Sequence, residues 1–185
     1  MRPRHYRLEP RHIEQRAAAI LQDKVKLKDA SPKCQASVLL HIVLYAAVRI
    51  SSIADSCARL KNVPGDDAVR KALAGGLPPI GTLTGRLNRA LLDCVPPRVR
   101  RRQKHGFRLA IDLTLVPYHG KPFANKREIY RGEAKSGTTH FHAYATCYLV
   151  RHGQRFTLAM LYVLKGTPLH TVVQKLLEIV EKASL

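Results

Sequence analysis

The sequence predicts an α+β protein in which the helices come first and the strands follow. Between His12 and Cys94, apolar residues recur about every 3.6 residues, which is the period of an amphipathic helix. In three segments between Phe107 and Leu164, on either side of a polar stretch from Tyr118 to Gly137, they alternate or run continuously, as they do in strands. From Leu169 to about Lys182 they return to a single helical stripe. We therefore expect a helical domain followed by a sheet that one helix covers.

Composition and charge narrow the classes of function. The 185 residues suit one full domain plus a smaller one, and 45% of them are hydrophobic, which is enough for a sizeable core. The 32 Lys and Arg against 13 Asp and Glu give a net charge of +19, which indicates a polyanionic partner, most often nucleic acid.

The expected location is the cytoplasm, and no membrane partner is expected. No apolar run reaches the roughly 18 residues of a membrane span, and the basic N-terminus lacks the apolar segment of a secretory signal. The four cysteines form no C-x-x-C pair, so reduced thiols are expected, not a zinc ribbon or a disulfide framework.

Capping residues divide the first half into helices. The first begins at His12 after a basic arm, and Ser31-Pro32 has the sequence of a second helix start. Ser52 opens a short helix over Ile53 to Leu60. Asp66 and Asp67 favour the start of another, which Gly75-Gly76 would stop.

The segment 33–50, KCQASVLLHIVLYAAVRI, is apolar on most sides and predicts a long buried helix. Two short helices after such a helix are typical of a helix-turn-helix, although many small helical bundles share this outline. Arg70 and Lys71 would be exposed on the second short helix and are candidate DNA-binding residues. A further amphipathic helix runs from Thr82 to Cys94. Val95-Pro96-Pro97 then marks the expected boundary, so residues 1–95 form the helical domain and 96–106 a basic linker.

The linker is a candidate phosphate-binding patch, with a solvated linker as the alternative. Its basic residues are Arg98, Arg100, Arg101, Arg102 and Lys104. A second set of candidate DNA-binding cations lies in the polar segment from Tyr118 to Gly137, which we expect to be a loop that could fold near Asp112. These are Lys121, Lys126, Arg127, Arg131 and Lys135.

Residues 107–185 predict three consecutive strands and a helix. The strands cover Phe107 to Val116, Thr138 to Val150 and Arg155 to Leu164, and a hairpin turn at Arg151 to Gln154 joins the last two. Such strands form an antiparallel meander. Because one helix on three strands leaves apolar surface unmatched, the chain looks like a fragment of something longer.

The first strand is expected to be buried, and it contains a single carboxylate, Asp112. Asp112 shares a face with Ala110, Thr114 and Val116. An ionised carboxylate in such a strand is costly unless it is paired or binds a cation, so it is either a metal ligand or part of a structural ion pair. His140 and His142 share a face of the next strand and could bind a metal. We expect them instead to be packed or exposed side chains without a metal.

The segments AIDLTLVPYHG, REIYRGEAKSGTTHFHAYATCYLV and QRFTLAMLYVLKG carry a family resemblance. In this order, with the acidic residue on the first strand, the chain resembles the N-terminal half of insertion-sequence DDE transposases, which have an RNase H-like catalytic core. The resemblance covers residues 107–185, which would be an incomplete RNase H-like β-β-β-α unit. The helical part is similar in layout only.

The resemblance implies Mg²⁺-dependent phosphoryl transfer on double-stranded DNA at transposon ends, and it is compatible with a homodimer. In such a site three acidic residues hold two Mg²⁺ ions. Asp112 would be the first, a catalytic residue and metal ligand. The other two acids would follow later in the chain, and Glu128 and Glu133 do not match their positions. We therefore expect a truncated transposase that binds DNA but is catalytically incomplete.

Two other classes of function remain open. A non-catalytic basic DNA-binding regulator would use Asp112 structurally. A basic RNA-binding accessory protein would bind single-stranded RNA more strongly than duplex DNA.

Overall fold

The computed structural model describes residues 9–100, 106, 108–120, 126–151 and 153–182. Within them the chain has the α+β composition that the sequence predicts. The helices are α1 (Pro10–Val25), α2 (Ala36–Arg49), α3 (Ile53–Arg59), α4 (Asp66–Gly76), α5 (Ile80–Cys94), α6 (Pro97–Arg100) and α7 (Leu169–Glu181). The strands are β1 (Arg108–Pro117), β2 (Tyr130–Lys135), β3 (Thr138–Arg151) and β4 (Gln154–Val163).

The chain divides into two compact units, residues 1–87 and 88–185, whereas the sequence places the boundary at Val95-Pro96-Pro97. In the first unit, Leu39 and Ile42 of α2 and Val69 of α4 are fully buried. Burying side chains of this size stabilises a fold by roughly 1.5–3 kcal/mol each. The first unit is therefore a small helical bundle built around α2.

The second helix begins later than predicted, at Ala36 instead of Ser31. The Ser31 hydroxyl accepts a hydrogen bond from the amide of Cys34 at 3.1 Å and so closes a turn before the helix. The first amide of α2, that of Ala36, donates instead to Oδ1 of Asp29 at 2.7 Å. The N-terminal amides of a helix need acceptors, and here a more distant carboxylate supplies one.

The two short helices are confirmed, with small differences at their ends. Ser52 caps α3 by accepting from the amide of Asp55 at 3.0 Å, as predicted. The predicted stop at Gly75-Gly76 is wrong, because α4 continues through Gly76. The amide of Leu77 still donates to the carbonyl of Leu73, and Pro78, which cannot continue a helix, follows.

The second unit contains a four-stranded antiparallel sheet in which β3 is central. β1 pairs with residues 141–150 of β3 along one edge, and β2 and β4 divide the other edge between them. β2 was expected to be loop. It pairs with β3 through a two-residue turn, Ser136-Gly137, whose φ angles of 52° and 75° are those of the tight turns that join hairpin strands.

One face of this sheet forms the core of the second unit. Along β3 the residues Phe141, Ala143, Ala145, Cys147 and Leu149 are all buried, and the last four share one core with Val172, Leu176 and Val180 of α7. The alternation predicted for this strand is confirmed. Small side chains on β3 let the helix lie close to the sheet, where apolar burial stabilises the fold.

Asn88 of α5 protects the outer edge of β4. Its side-chain amide donates to the carbonyl of Met160 at 3.0 Å and accepts from the amide of the same residue at 2.8 Å. Asn88 is only 4% exposed, so it acts as a buried substitute for a neighbouring strand.

The prediction that the Asp112 strand is buried is wrong. β1 has β3 as its single strand neighbour among the described residues, and α7 packs on β3 and β4. Leu109, Ile111 and Leu113 therefore remain 38–39% exposed even though they share the face that α7 covers elsewhere. β1 is an edge strand.

No single described helix is long and apolar enough to cross a membrane; α2 and α3 together pass a test of length and composition, but they are bent by 105° at the break between them.

Candidate functional site

Asp112 lies in the middle of β1, directly opposite Thr146 of β3, and its side chain is exposed. Directly opposite residues in an antiparallel pair lie on the same face, so Asp112 belongs to the sheet face that α7 does not cover. In the part of the chain that the structure describes, its carboxylate has no hydrogen bond or ion pair. A structural ion pair, the alternative raised by the sequence, is not seen among these residues.

Thr146 adds a second polar group at this position. Its hydroxyl is buried and has no hydrogen-bond partner among the described residues. Leaving a buried hydroxyl without a partner costs roughly 1–3 kcal/mol, so such groups are rare in a folded protein. The carboxylate and the hydroxyl lie on adjacent strands on the same face, with strand axes about 4.8 Å apart.

The register of the strands arranges the rest of this face, which we call the open face, in rows across the sheet. Val150 is flanked by Arg108 and Arg155, and Tyr144 by Thr114 and Tyr162. Between these two rows lie the Tyr148 row and then the Thr146 row, where Met160 lies opposite Asp112 across β3. Among the described helices, α7 is the one that packs broadly on the sheet, and it lies on the other face.

An aromatic cluster occupies the end of the open face beyond Asp112. The Nδ1 atom of His142 is 2.9 Å from the hydroxyl of Tyr162, which donates to the carbonyl of Glu128 at 2.8 Å. The ring of Tyr118 meets that of His142 edge-on, with centroids 5.0 Å apart, and Tyr144 lies 5.3 Å from Tyr162. These rings are held in place by one another and by the backbone.

The hydrogen bonds assign the proton on His142. A carbonyl oxygen only accepts, so the single hydroxyl proton of Tyr162 is directed at Glu128, and Nδ1 of His142 must donate to Tyr162. Burial lowers the pKa of His142 below 6.5, although Glu128 partly opposes the shift. His142 is therefore neutral at pH 7.

Burial also raises the pKa of the two tyrosines in the cluster. The pKa of Tyr144 is raised, and the pKa of Tyr162 rises to about 12 because its hydroxyl is desolvated and lies near Glu128. Both phenols stay neutral at any physiological pH, so the cluster offers ring faces and hydrogen bonds but no negative charge.

The predicted loop cations are not gathered around Asp112. Arg131 lies opposite His140 and Lys135 opposite Thr138, on the other side of β3 from β1. Arg131 is thus six residues along β3 from the Asp112 row, roughly 20 Å away. Lys126 and Arg127 belong to a short 3-10 helix near the end of β4. The amide of Lys165 donates a hydrogen bond to the carbonyl of Arg127 at 2.7 Å.

The two candidate DNA-binding cations of α4, Arg70 and Lys71, are exposed but already paired. Arg70 contacts Asp66 at 2.6 Å, and Lys71 contacts Asp67 at 2.8 Å, each one helical turn away. Lys71 lowers the pKa of Asp67 through a hydrogen bond and its charge, so this pair persists at neutral pH. α4 therefore carries no net side-chain charge.

The structure describes only two of the five candidate phosphate-binding residues of the predicted linker. Arg98 and Arg100 lie in α6. Arg101, Arg102 and Lys104, together with Lys121 of the predicted loop, lie outside the described residues.

Four residues of the open face, Arg155, Tyr144, Tyr148 and Tyr162, are not among the candidate site residues that the sequence predicts. The alternation of residues 138–164 places the tyrosines of each strand on one face, and the sequence alone shows this. What the sequence did not supply was the register that brings Arg155 level with Arg108 and Tyr162 level with Tyr144.

The donor set for Mg²⁺ is incomplete in the described residues. No group of three or more His, Cys, Asp or Glu in them could hold a metal ion. Asp112 alone has suitable chemistry, because Mg²⁺ is commonly bound by one or two carboxylates together with phosphate oxygens and water. The described residues therefore do not make up a two-metal catalytic site.

Comparison with protein-family models, with curated proteins and with solved structures gives no match for this chain.

Proposed function

We propose that this chain is a DNA-binding protein related to insertion-sequence transposases, and that its second unit is part of an RNase H-like core. The observation that carries the proposal is Asp112: an exposed carboxylate without a partner among the described residues, in the middle of the first strand of an antiparallel β1–β3–β4 meander that leads into α7. The hairpin strand β2 is an insertion into that order.

The net charge of +19 supports DNA as the partner, because cations that neutralise phosphates release condensed counterions. Arg108, Arg131 and Arg155 are exposed on strands, and none forms an ion pair with another described residue. These three arginines are available to phosphate groups in the proposed binding.

Asp112 would act as one oxygen ligand of a Mg²⁺ ion that also contacts a DNA phosphate. DNA cleavage and strand transfer are proposed only for an assembly in which further carboxylates join Asp112. The described residues contribute DNA positioning and one ligand to that reaction.

The test is Asp112→Ala, measured by duplex DNA binding at several Mg²⁺ concentrations and by chemical denaturation. We expect the free energy of unfolding to change by no more than about 0.5 kcal/mol, as for other exposed sites, while the Mg²⁺-dependent part of the affinity is lost. Glu133→Ala, which removes an exposed carboxylate of β2, is the matched control and should retain the Mg²⁺ effect.

The opposite result favours a regulator in which Asp112 is structural. A loss of several kcal/mol of stability in Asp112→Ala, with the Mg²⁺ response of DNA binding unaltered, would remove the basis of the transposase proposal.

A further inference from the structure

The open face of the sheet has side chains unlike those of a surface that only faces water. His142, Tyr144 and Tyr148 lie on the same face of β3 and are half-buried, with Thr146 between the two tyrosines, and Tyr162 lies beside Tyr144 on β4. Along the strand His142 and Tyr144 are roughly 6.6 Å apart, and Tyr144 and Tyr148 are roughly 13 Å apart. No described helix packs broadly over it.

Cations lie at both ends of the aromatic stripe. Arg108 and Arg155 flank Val150, roughly 10 Å apart across two strands. At the other end Arg131 is level with His140, ten residues along β3 from Val150, or roughly 33 Å away. All three arginines are exposed and lack an acidic partner among the described residues.

This arrangement matches the chemistry of a single strand. In a duplex the base faces are stacked and cannot reach a protein ring, whereas in a single strand they can stack on aromatic side chains while cations contact the phosphates. The hydrogen bonds and ring contacts among His142, Tyr162 and Tyr144 fix the rings beforehand, which reduces the entropy lost on binding.

We propose that the open face of the sheet binds single-stranded nucleic acid, with bases stacked on Tyr144 and Tyr148 and phosphates held by Arg108 and Arg155 at one end and Arg131 at the other. Asp112 is the one carboxylate in these rows, in the Thr146 row between the two tyrosines. The inference rests on the proposed function in one respect, since both use the strand arginines, but it assigns a separate role to the rings.

The experiment uses the full chain and fluorescence anisotropy with three probes of about ten nucleotides: oligo-dT, oligo-rU and an abasic strand of equal charge. We expect the wild-type chain to bind oligo-dT or oligo-rU at least about tenfold more tightly than the abasic strand, since each stacked base adds affinity. The ratio of dT to rU shows which sugar the face prefers.

Variants assign the effect to the rings. The double variant Tyr144→Leu, Tyr148→Leu should lose about tenfold or more in oligo-dT affinity and none in abasic affinity. The double variant Tyr144→Phe, Tyr148→Phe keeps the rings and should retain binding. Tyr45→Leu, in α2 of the first unit, is the matched control and should also retain it.

Equal wild-type affinity for the abasic strand and oligo-dT overturns the inference, and this comparison holds even if the leucine variant fails to fold. A duplex probe separates the two proposals. If the chain binds the duplex probe but binds oligo-dT and the abasic strand equally, the proposed function is retained and the inference about the open face is rejected. Absence of binding to every probe removes both.

Discussion

The basic residues of the two units differ in what surrounds them. On α4 each candidate cation has an aspartate one turn before it, so Arg70 and Lys71 are paired with Asp66 and Asp67. On the strands, residues four apart are separated by about 13 Å, and Arg108 and Arg155 have no acidic partner among the described residues. Helical geometry neutralises charge locally and strand geometry does not, so a count of cations along the sequence misplaces the binding surface.

Asn88→Ala is expected to have the largest effect, a loss of stability in the second unit. It leaves the amide and carbonyl of Met160 without their buried partner, and we expect the second unit to lose about 2–4 kcal/mol of unfolding free energy. The measurement is urea denaturation followed by tyrosine fluorescence and circular dichroism. Asn88→Asp keeps an acceptor for the Met160 amide but places a second acceptor and a buried charge against the Met160 carbonyl, so it should be destabilising as well, most strongly above the pKa of the new carboxyl. A change in Asn88→Ala below about 0.5 kcal/mol would show that the edge of β4 does not need this side chain.

Removing the strand arginines tests the comparison directly. In Arg108→Ala, Arg155→Ala, the slope of log affinity for single strands against log salt should fall by about 1.4, because two phosphate contacts are lost. Arg70→Ala, Lys71→Ala is the matched control with the same change in charge, and its slope should stay near the wild-type value. An equal or larger fall in the α4 variant would reverse the assignment.

Removing the acidic partners of the α4 cations tests whether these ion pairs prevent α4 from binding DNA. Asp66→Asn, Asp67→Asn removes the partners of Arg70 and Lys71, so we expect duplex DNA affinity to rise and its salt slope to steepen by up to about 1.8. Some stability should be lost, since both acids lie at the positive end of the helix. An unchanged salt slope would indicate that the ion pairs do not limit binding by α4.

The smallest effect is a pH dependence that belongs to the sheet unit alone. Burial holds the pKa of His142 below 6.5, so the unfolded chain binds more protons there and stability falls as the pH drops below 6.5 towards the lowered value. His142→Gln should remove this part of the acid sensitivity in denaturation curves recorded between about pH 5 and pH 7. Curves that keep the same pH slope in the variant would show that other groups cause it.

Much of the secondary structure could be predicted because periodicity is local. The helical stripes, the Ser52 cap and the alternation along β3 are all properties of a few neighbouring residues, and the structure confirms them. The start of α2 could not be predicted from Ser31-Pro32, since it depends on the carboxylate of Asp29 reaching Ala36. The strand β2 was missed because its exposed polar sequence is identified only by pairing with β3.

The site was predictable only in part, for the same reason. The sequence shows that Asp112 is the single acid of its strand, and the register then places Thr146 opposite it. An apolar run predicted a buried strand, whereas Leu109 and Ile111 are 38% exposed because β1 is at an edge. Burial depends on which elements lie alongside, and that information is not local.

The most direct test of the open face is photocrosslinking of the full chain to a single-stranded oligonucleotide containing 5-iodouracil, followed by peptide mass spectrometry. We expect adducts on Tyr144, Tyr148 or Tyr162, within residues 138–163, which an excess of unlabelled oligo-dT suppresses and an equal excess of an abasic strand of the same charge does not. Adducts confined to residues 66–76 of α4, with none on the strands, would contradict it.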